Sequence, residues 1–403
     1  MEQSRLARRA ARLSATLPAP HFPSEFGSDV ILFDSGFASP QVLPDLSRLA
    51  VEALTRHREE TLQYAPGHGH PELRRWIAGY MNDDGCRVAP EEVLIVNGAK
   101  NGLDLICRLF LDEGDAIVVT APMYFTAIPI FASYGVEFIE VGQDEHGLKV
   151  AELEEVLARR AREGKAPPKL VYNVTDFHNP SGLTMPLERR QALVELAQRH
   201  GIHLVEDNPY RRVRFEGESV PTLKALDRQG LVLHVGTFSK LIAPGLRIGW
   251  IAARKDLIAR LIQLKADGGT NPVMQRIVLE FCRSEAFQEH TRKVQTIYRE
   301  HRDRMLEALR RELPEVKVIA PAGGYYVWLT FPPEVDGTEL AQRAAQAGVH
   351  VIPGSRFFAG TNKAAGHDPG RNHMRLSYSY ATPAQIDEGV RRLGQVYRSR
   401  PTQ

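Results

Sequence analysis

Between about Val93 and Trp250 the sequence alternates short runs of valine, isoleucine and leucine with longer stretches of helical spacing. The apolar runs are VLIVN, AIVVT, KLVYN, IHLVE, LVLHVG and RIGWIA. Continuous apolar runs between helices are typical of strands that are buried on both faces of a mostly parallel sheet. The pattern predicts an α/β fold, in which ligands bind beyond the carboxyl ends of the strands.

The remainder of the chain has a different pattern. From about Pro272 to Arg311 the spacing is helical with many charges, which predicts a long helix or a broken pair of helices. Four short apolar runs and two helical stretches follow, which predicts a smaller α+β domain. The polar, glycine-rich segment 359–372 is predicted to be a loop, and the arginine-rich N-terminus MEQSRLARRAARLS an amphipathic surface helix.

Composition argues against several classes of protein. The 51 basic and 49 acidic residues are interspersed, so no surface for nucleic acid or membrane is indicated. Three scattered cysteines fit neither a zinc site nor a disulfide framework. No apolar run approaches the roughly 20 residues that span a bilayer. We therefore expect a cytoplasmic protein, without a bound metal, that acts on small molecules.

The segment GTFSKLIAPGLRIGW, residues 236–250, carries the most chemistry. It starts where an apolar run ends and holds Thr237, Ser239, Lys240 and Arg247. A pyridoxal-5'-phosphate (PLP) site needs a primary amine to form an imine with the cofactor, and hydroxyl and cationic groups around the phosphate. This segment supplies both, although a surface lysine in a loop would have the same sequence.

Residues beyond other apolar runs fit the same cofactor. Asp207 follows IHLVE, where its carboxylate can pair with a protonated pyridine nitrogen. Tyr210 and Asn179 can donate hydrogen bonds to the ring oxygen, and Tyr124 can stack on the ring. Turn capping or ordinary packing is the alternative explanation for each of these residues.

The turn NGAKNGLDL, residues 97–105, lies between VLIVN and an apolar helical stretch. Gly98 would let the backbone approach a ligand closely, and the N-terminus of the helix would offer free N–H groups to a phosphate. Glycine turns before helices are frequent, so this turn supports the PLP interpretation only together with the other segments.

Taken together, these segments closely resemble the fold-type I PLP-dependent aminotransferases of class I/II, in the branch of the 2-aminoadipate, kynurenine and broad-range amino-acid enzymes. The resemblance covers nearly the whole chain. It implies a large three-layer α/β/α domain with a mostly parallel sheet, and a smaller α+β domain. Residues 1–60 would form the N-terminal arm and part of the small domain, residues 61–290 the large PLP-binding domain, and residues 291–403 the C-terminal small domain.

The resemblance also implies roles for individual residues. Lys240 would be the Schiff-base lysine, and it would act in catalysis with Asp207 and Tyr210. The implied cofactor contacts are Gly98, Ala99, Lys100, Tyr124, Asn179, Asp207, Tyr210, Thr237, Ser239, Lys240 and Arg247. Tyr64, in YAPGHGHPELR, would reach the cofactor and substrate in the neighbouring subunit, which implies a homodimer with shared active sites. Arg375, in HMRLSYS, would bind the substrate carboxylate, to which a guanidinium can donate two parallel hydrogen bonds, and Asn179 would also contact the substrate.

Two positions depart from the pattern of the family. Lys100 stands where many relatives have a polar amide, so the phosphate site would be more cationic unless this lysine points away. His178 stands where a glutamine is usual, which could alter the contacts near the substrate. Both departures leave the identity of the substrate open.

The implied reaction moves an amino group from an L-α-amino acid to a 2-oxo acid, commonly 2-oxoglutarate, through pyridoxamine phosphate. Lys240 would act as general base and acid for the Cα proton. An alternative is another PLP reaction on the same fold, such as β-elimination or replacement, cyclisation or oxidation, because it would use the same cofactor residues.

Two further alternatives belong to other classes of protein. In an aminotransferase-like effector domain of a bacterial transcription regulator, a winged-helix domain comes first, whereas only about 60 residues precede the Tyr64 segment here. A nicotinamide dehydrogenase needs a G-x-G-x-x-G turn, which NGAKNG does not match.

Overall fold

The structure is a computed structural model that describes residues 29–360 and 368–399, together with the isolated positions 7, 10 and 27. Nearly all of the predicted N-terminal surface helix, and half of the predicted loop at 359–372, lie outside the described residues. Among the residues that are described, no helix is long and apolar enough to cross a lipid bilayer.

The described residues form fourteen strands and thirteen α-helices. The strands are β1 (Ile31–Leu32), β2 (Val93–Val96), β3 (Ala116–Ala121), β4 (Glu137–Asp144), β5 (Gly147–Leu148), β6 (Leu170–Asn173), β7 (His203–Asp207), β8 (Val232–Thr237), β9 (Gly249–Ala252), β10 (Lys317–Val318), β11 (Tyr326–Thr330), β12 (Val349–His350), β13 (Ile352–Pro353) and β14 (His373–Ser377). The helices are α1 (Ser47–Thr55), α2 (Arg58–Thr61), α3 (Pro71–Asn82), α4 (Ala99–Phe110), α5 (Ile128–Ala132), α6 (Val150–Arg162), α7 (Leu187–His200), α8 (Leu223–Leu226), α9 (Lys255–Leu264), α10 (Pro272–Arg283), α11 (Ala286–Glu312), α12 (Gly337–Gln346) and α13 (Pro383–Arg398).

An eight-stranded sheet has the order β2-β9-β8-β7-β6-β3-β4-β5. Strands β8, β7, β6, β3 and β4 run parallel to one another, whereas β9 and β5 are antiparallel to their neighbours. All six of the predicted strands lie in this sheet. Their side chains are almost completely buried because helices cover both faces, as the continuous apolar runs indicated.

Two layers of helices enclose this sheet. On one face, leucine and isoleucine side chains of α4 and α9 pack against the strands, including Leu103, Ile106 and Leu261. On the other face, the apolar sides of α6 and α7 pack against the same strands through Leu153 and Leu193. The result is the α/β/α sandwich that was predicted, with one core on each side of the sheet.

The direction of the strands determines where polar side chains can meet. Strands β2, β3, β6, β7 and β8 all end at the same edge of the sheet, and β9 starts there because it is antiparallel to β2 and β8. Loops that follow these strands therefore converge on one edge, which is the expected ligand position in an open α/β sheet.

A smaller antiparallel sheet of four strands has the order β10-β11-β14-β13. On β14, Arg375 stands opposite Trp328 of β11 and opposite Ile352 of β13. The charged helical region before this sheet is a broken pair, α10 and α11. Our domain boundaries at 60/61 and 290/291 stay predictions, and the second falls inside α11.

Candidate active site

A cavity of about 220 Å³ lies at the edge of the large sheet where the parallel strands end. Most of the residues predicted to bind the cofactor line it, namely Ala99, Lys100, Tyr124, Asn179, Asp207, Tyr210, Thr237, Ser239, Lys240 and Arg247. The remaining lining residues are Leu103, Val174, Pro209 and Pro244. The fold thus brings together side chains that are up to about 150 positions apart in the sequence, from Ala99 to Arg247.

Asp207 is the last residue of β7 and is 3% exposed. Its Oδ2 accepts a hydrogen bond from the phenol of Tyr172 at 2.7 Å, whereas Oδ1 is buried without a partner among the described residues. Burial raises the pKa of Asp207 to about 6, against the lowering effect of the Tyr172 hydrogen bond. A buried carboxylate with one oxygen left unpaired is arranged to receive a cationic donor from a ligand.

Asn179 and Arg375 form a second polar pair. Arg375, which is 2% exposed, donates from Nη1 to Asn179 Oδ1 at 3.1 Å and from Nη2 to the carbonyl of Asp34. The amide nitrogen of Asn179 has no acceptor in the described part of the chain. Arg375 therefore orients the Asn179 amide so that its N–H groups remain available to a ligand.

Lys240 follows β8 and is partly buried. Its Nζ donates to the carbonyl of Gly36 at 2.9 Å, and its own carbonyl accepts from the Tyr325 phenol at 2.7 Å. Burial lowers the pKa of Lys240, and the nearby cations Arg375 and Arg247 act in the same direction. A lowered pKa increases the fraction of neutral amine, which is the nucleophilic form.

Hydroxyl and cationic groups gather at the start of α4. Thr237 Oγ1 donates to Ser239 Oγ at 2.9 Å, and Arg247 Nη2 donates to the carbonyl of Asn97 at 3.2 Å. Gly98 precedes α4 with a φ of 80°, and a Cβ built there would be 2.5 Å from Arg247 Nη2. Helix N-termini and cations favour phosphate, so this end of the cavity is suited to an anion.

Of the two departures noted above, Lys100 lines the cavity rather than pointing away. Although much of its side chain remains exposed, partial burial lowers its pKa, as do Arg247 and Lys240. His178 is buried in a polar network with Gln143, Thr120 and Ser181 and is absent from the cavity lining. Burial lowers the pKa of His178 to about 3, so this imidazole is neutral at physiological pH.

Tyr64 does not line the cavity of its own chain. Its side chain is 86% exposed, at the end of a stretch that also exposes Leu62 (66%) and Val51 (60%). The predicted reach of Tyr64 into a neighbouring subunit concerns a chain that is not part of the structure, so it stays a prediction.

Comparison with known proteins identifies the family. The sequence profile described as "Aminotransferase class I and II" matches residues 26–393. The chain belongs to this family. Aromatic-amino-acid aminotransferase 1 of Thermococcus litoralis is 37% identical over 377 residues, covering 92% of this chain and 88% of the relative.

Solved structures of aminotransferases have the same fold. Kynurenine aminotransferase of Pyrococcus horikoshii, in complex with PMP, superimposes with a TM-score of 0.91 at 32% identity, covering 100% of this chain and 99% of the other. Alpha-aminoadipate aminotransferase of Thermus thermophilus, complexed with N-(5'-phosphopyridoxyl)-L-leucine, gives a TM-score of 0.88 at 33% identity, with coverage of 99% and 98%. The protein is a PLP-dependent aminotransferase that acts on amino acids.

The cavity of this aminotransferase fits PLP. The unpaired Oδ1 of Asp207 matches a protonated pyridine nitrogen, and the unpaired amide of Asn179 matches the ring oxygen. The hydroxyls and cations at the start of α4 match the phosphate, and Lys240 lines the same cavity. Two unpaired buried groups of opposite type are costly without a ligand, and the cofactor would satisfy both.

Sequence reasoning missed several residues that shape this aminotransferase site. Tyr172 lies inside β6, where a buried tyrosine looks like ordinary packing. Tyr326 packs its ring 4.1 Å from the Arg375 guanidinium, and a Cβ at Gly36 would overlap its phenol oxygen. Gly36 contributes only its carbonyl, which no sequence pattern could reveal. A buried Tyr-Tyr pair after two glycines, as in GGYY, was the one visible cue to Tyr326.

Proposed function

We propose that the enzyme transfers the amino group of an L-α-amino acid to a 2-oxo acid such as 2-oxoglutarate at this cavity, with Lys240 as the catalytic lysine. The observation that carries the proposal is the arrangement of three groups around one cavity: the Lys240 amine, the unpaired Asp207 Oδ1 and the unpaired Asn179 amide. The relatives act on aromatic amino acids, aminoadipate and kynurenine by name, and we propose amino donors of this range.

PLP supplies an aldehyde that takes up the substrate amino group and a ring that withdraws electrons from the substrate Cα. Lys240 Nζ would take the proton from the substrate Cα as general base and would later give it back as general acid. The lowered pKa of Lys240 suits this role because it increases the fraction of unprotonated amine, which is the form that acts as a base. Asp207, when ionised, would hold a proton on the pyridine nitrogen through its unpaired Oδ1.

Arg375 would hold the α-carboxylate of the substrate. Its guanidinium is buried and has no acidic partner among the residues the structure describes. Its Nε is also unpaired, so donors remain for a bidentate carboxylate. Because Arg375 bonds to Asn179, a substrate carboxylate there would sit beside the ring-oxygen end of the cofactor.

The phosphate would bind at the start of α4. Thr237, Ser239 and Arg247 would supply side-chain donors. The backbone N–H groups of Ala99 and Lys100, in the first turn of α4, would add further donors. Lys100 adds a second cation beside Arg247. Tyr124 would stack on the cofactor ring and Tyr210 would donate to the ring oxygen, since both line the same cavity.

We further propose a homodimer in which Tyr64 enters the partner's active site. The support is that five of the six exposed large apolar side chains among the described residues fall between residues 43 and 64, namely Leu43, Val51, Leu54, Leu62 and Tyr64. A concentration of exposed apolar side chains in one segment is typical of a surface that another subunit covers. A cytoplasmic location is supported by three cysteines that are buried and unpaired.

Reductive trapping tests the assignment of Lys240. Borohydride treatment of the PLP-loaded enzyme should fix the cofactor on the peptide that contains Lys240, detected by mass spectrometry. Lys100 is an internal control because its side chain lines the same cavity. Cofactor fixed on Lys100 instead of Lys240 would contradict the proposed function.

A further inference from the structure

The phenol of Tyr326 and the amine of Lys240 lie beside the same residue, Gly36. A Cβ built on Gly36 would overlap Tyr326 Oη and would lie 3.2 Å from Lys240 Nζ. The same Nζ donates to the Gly36 carbonyl at 2.9 Å. The two polar groups are therefore neighbours, and the flexible stem of the lysine lets its amine turn from the carbonyl to the phenol.

The small sheet holds Tyr326 in place. It is the first residue of β11, where it stands opposite Ser377 of β14, and it is 4% exposed. The guanidinium carbon of Arg375 is 4.1 Å from the centroid of its ring. Its Oη lies 3.5 Å from the phenol oxygen of Tyr210, which lines the cofactor cavity as Lys240 does. The phenol of Tyr326 is thus fixed next to two side chains of that cavity.

Tyr326 and Lys240 influence each other's charge. Burial by itself would raise the pKa of Tyr326, but Arg375 and Lys240 lower this pKa below the ordinary value of a phenol. Burial lowers the pKa of Lys240, whereas Tyr326 acts on it in the opposite direction. Each of the two groups therefore favours the charged form of the other, as expected for an acid and a base that share a proton.

Other ionisable groups also face these two side chains, namely Tyr124, Tyr210, Tyr325, Arg247 and Asp207. Burial raises the pKa of each of the three phenols, so all three stay protonated. Arg247 and Asp207 act on the pKa of Lys240 with opposite signs. Of the four phenols, Tyr326 is therefore the one whose ionisation the surroundings favour.

We propose that Tyr326 exchanges a proton with Lys240 Nζ and so sets the fraction of free amine in the active site. This inference rests on the proposed role of Lys240 as the catalytic lysine. When the phenolate of Tyr326 takes a proton from the ammonium group of Lys240, a phenol and a neutral amine remain, so the step needs no other reactant. The neutral amine is the form that attacks an aldehyde and the form that acts as a base.

The rate at which PLP binds to the apoenzyme, measured as a function of pH, tests the proposal without measuring turnover. Only the free amine reacts with the aldehyde of PLP, so the rate constant should rise with pH as Lys240 loses its proton. Tyr326→Phe keeps the aromatic ring against Arg375 and removes the hydroxyl. We expect it to lower the midpoint of this rise by about one pH unit, because no phenolate then stabilises the ammonium group.

Tyr325→Phe is the matched control for this measurement. The Tyr325 phenol donates to the backbone carbonyl of Lys240 and not to its amine, so the midpoint should stay at the wild-type value. The ionisations of PLP itself are the same for every variant and cancel when midpoints are compared.

The ultraviolet absorbance of tyrosinate measures the same coupling from the side of Tyr326. Comparison of the wild-type and Tyr326→Phe apoenzymes should show one tyrosinate that forms below the ordinary phenol pKa of about 10. The same comparison in the Lys240→Met background should show a higher midpoint for this tyrosinate. The two shifts should be equal in size, because the coupling between two sites is reciprocal.

The outcomes separate the two proposals. If Tyr326→Phe leaves the midpoint of PLP binding unchanged, or shifts it no more than Tyr325→Phe does, the role of Tyr326 is wrong. The role is also wrong if no tyrosinate of Tyr326 forms below the ordinary phenol pKa. If Lys240→Met still develops the absorption band of lysine-bound PLP, the proposed function itself is wrong.

Discussion

The phenol of Tyr172 donates a 2.7 Å hydrogen bond to Asp207 Oδ2, while Oδ1 of the same carboxyl points to no protein partner within the described residues. One oxygen of the carboxyl is thus oriented by the protein and the other is left for the ligand. Tyr172 opposes the effect of burial on the pKa of Asp207 and so helps to keep the carboxyl ionised. The ionised form is the one that can pair with a protonated pyridine nitrogen.

Removing this hydrogen bond should weaken cofactor binding. For Tyr172→Phe we expect the affinity of the apoenzyme for PLP to fall about tenfold, corresponding to about 1.4 kcal/mol, because the remaining carboxylate is less ionised and less well oriented. Titration of the apoenzyme with PLP, followed by absorbance, measures this change. Tyr134→Phe is the control, because it breaks a similar 2.8 Å bond to Asp104 that does not border the cavity. Equal affinities of wild type and Tyr172→Phe would contradict the role of Tyr172.

Asp207 should destabilise the folded apoenzyme at pH values above the raised pKa of its carboxyl group. Its pKa is about 6 in the folded protein and near 3.8 when unfolded, so the folded state binds the proton more tightly. Stability is therefore lost as the pH rises from about 4 to about 6, and Asp207→Asn avoids this loss. We expect the free energy of unfolding of the Asp207→Asn apoenzyme to exceed that of the wild type by up to about 3 kcal/mol at pH 8. At pH 4 the two values should differ little.

Urea unfolding of both apoenzymes at the two pH values measures this difference. The exposed Asp112→Asn should show no such dependence on pH. With PLP bound, the order of stability should reverse at pH 8, because the pyridinium then stabilises the carboxylate. An apo Asp207→Asn enzyme that is less stable than the wild type at pH 8 would contradict this account.

Gly98 should be needed for binding the phosphate group of PLP and not for binding its pyridine ring. Gly98→Ala adds a Cβ that would be 2.5 Å from Arg247 Nη2, at φ 80° and ψ 164°, a backbone region almost exclusive to glycine that costs about 1–3 kcal/mol for alanine. We expect PLP binding to weaken at least tenfold, whereas pyridoxal, which has no phosphate, should bind as before. Gly79→Ala, in the open middle of α3, should leave both affinities unchanged. If the affinities for PLP and pyridoxal fell equally, the substitution would not act through the phosphate site, and this prediction would be wrong.

Tyr64 should act in the active site of the other subunit. Tyr64→Ala and Lys240→Ala should each lose most activity, yet co-expressed subunits that pair at random should recover about a quarter of the wild-type activity. Half of such dimers are mixed, and each mixed dimer has one site with both residues intact. Activity measured on the tag-purified mixture tests this, and light scattering tests the dimer. No recovery in proven mixed dimers would refute the role in trans.

The sequence predicted the central sheet well because its strands are buried on both faces and consist of continuous apolar residues. Strand β4 was missed, since EFIEVGQD is charged and only alternately buried at the sheet margin. The site residues that follow strand ends were predicted from position and chemistry together, and the cavity brings them together. The Gly36 carbonyl was not predictable, because it meets Lys240 across 204 positions of sequence and has no side chain.

Tyr326 shows a second limit of sequence reasoning. Tyr326 is an ordinary residue in its own segment, and its role depends on contact with Arg375, which lies on a different strand. Contacts between elements of the small sheet depend on pairing register, and single-sequence patterns do not specify register between distant strands.

The absorption spectrum of the PLP-loaded enzyme, recorded with one L-amino acid at a time and no 2-oxo acid, tests the central claim most directly. We predict that the band of lysine-bound PLP is replaced by that of pyridoxamine phosphate, with one equivalent of 2-oxo acid formed per active site. Addition of 2-oxoglutarate should restore the first band. A band that persists with every amino acid tested, or a substrate that yields free ammonia instead, would contradict amino-group transfer by this site.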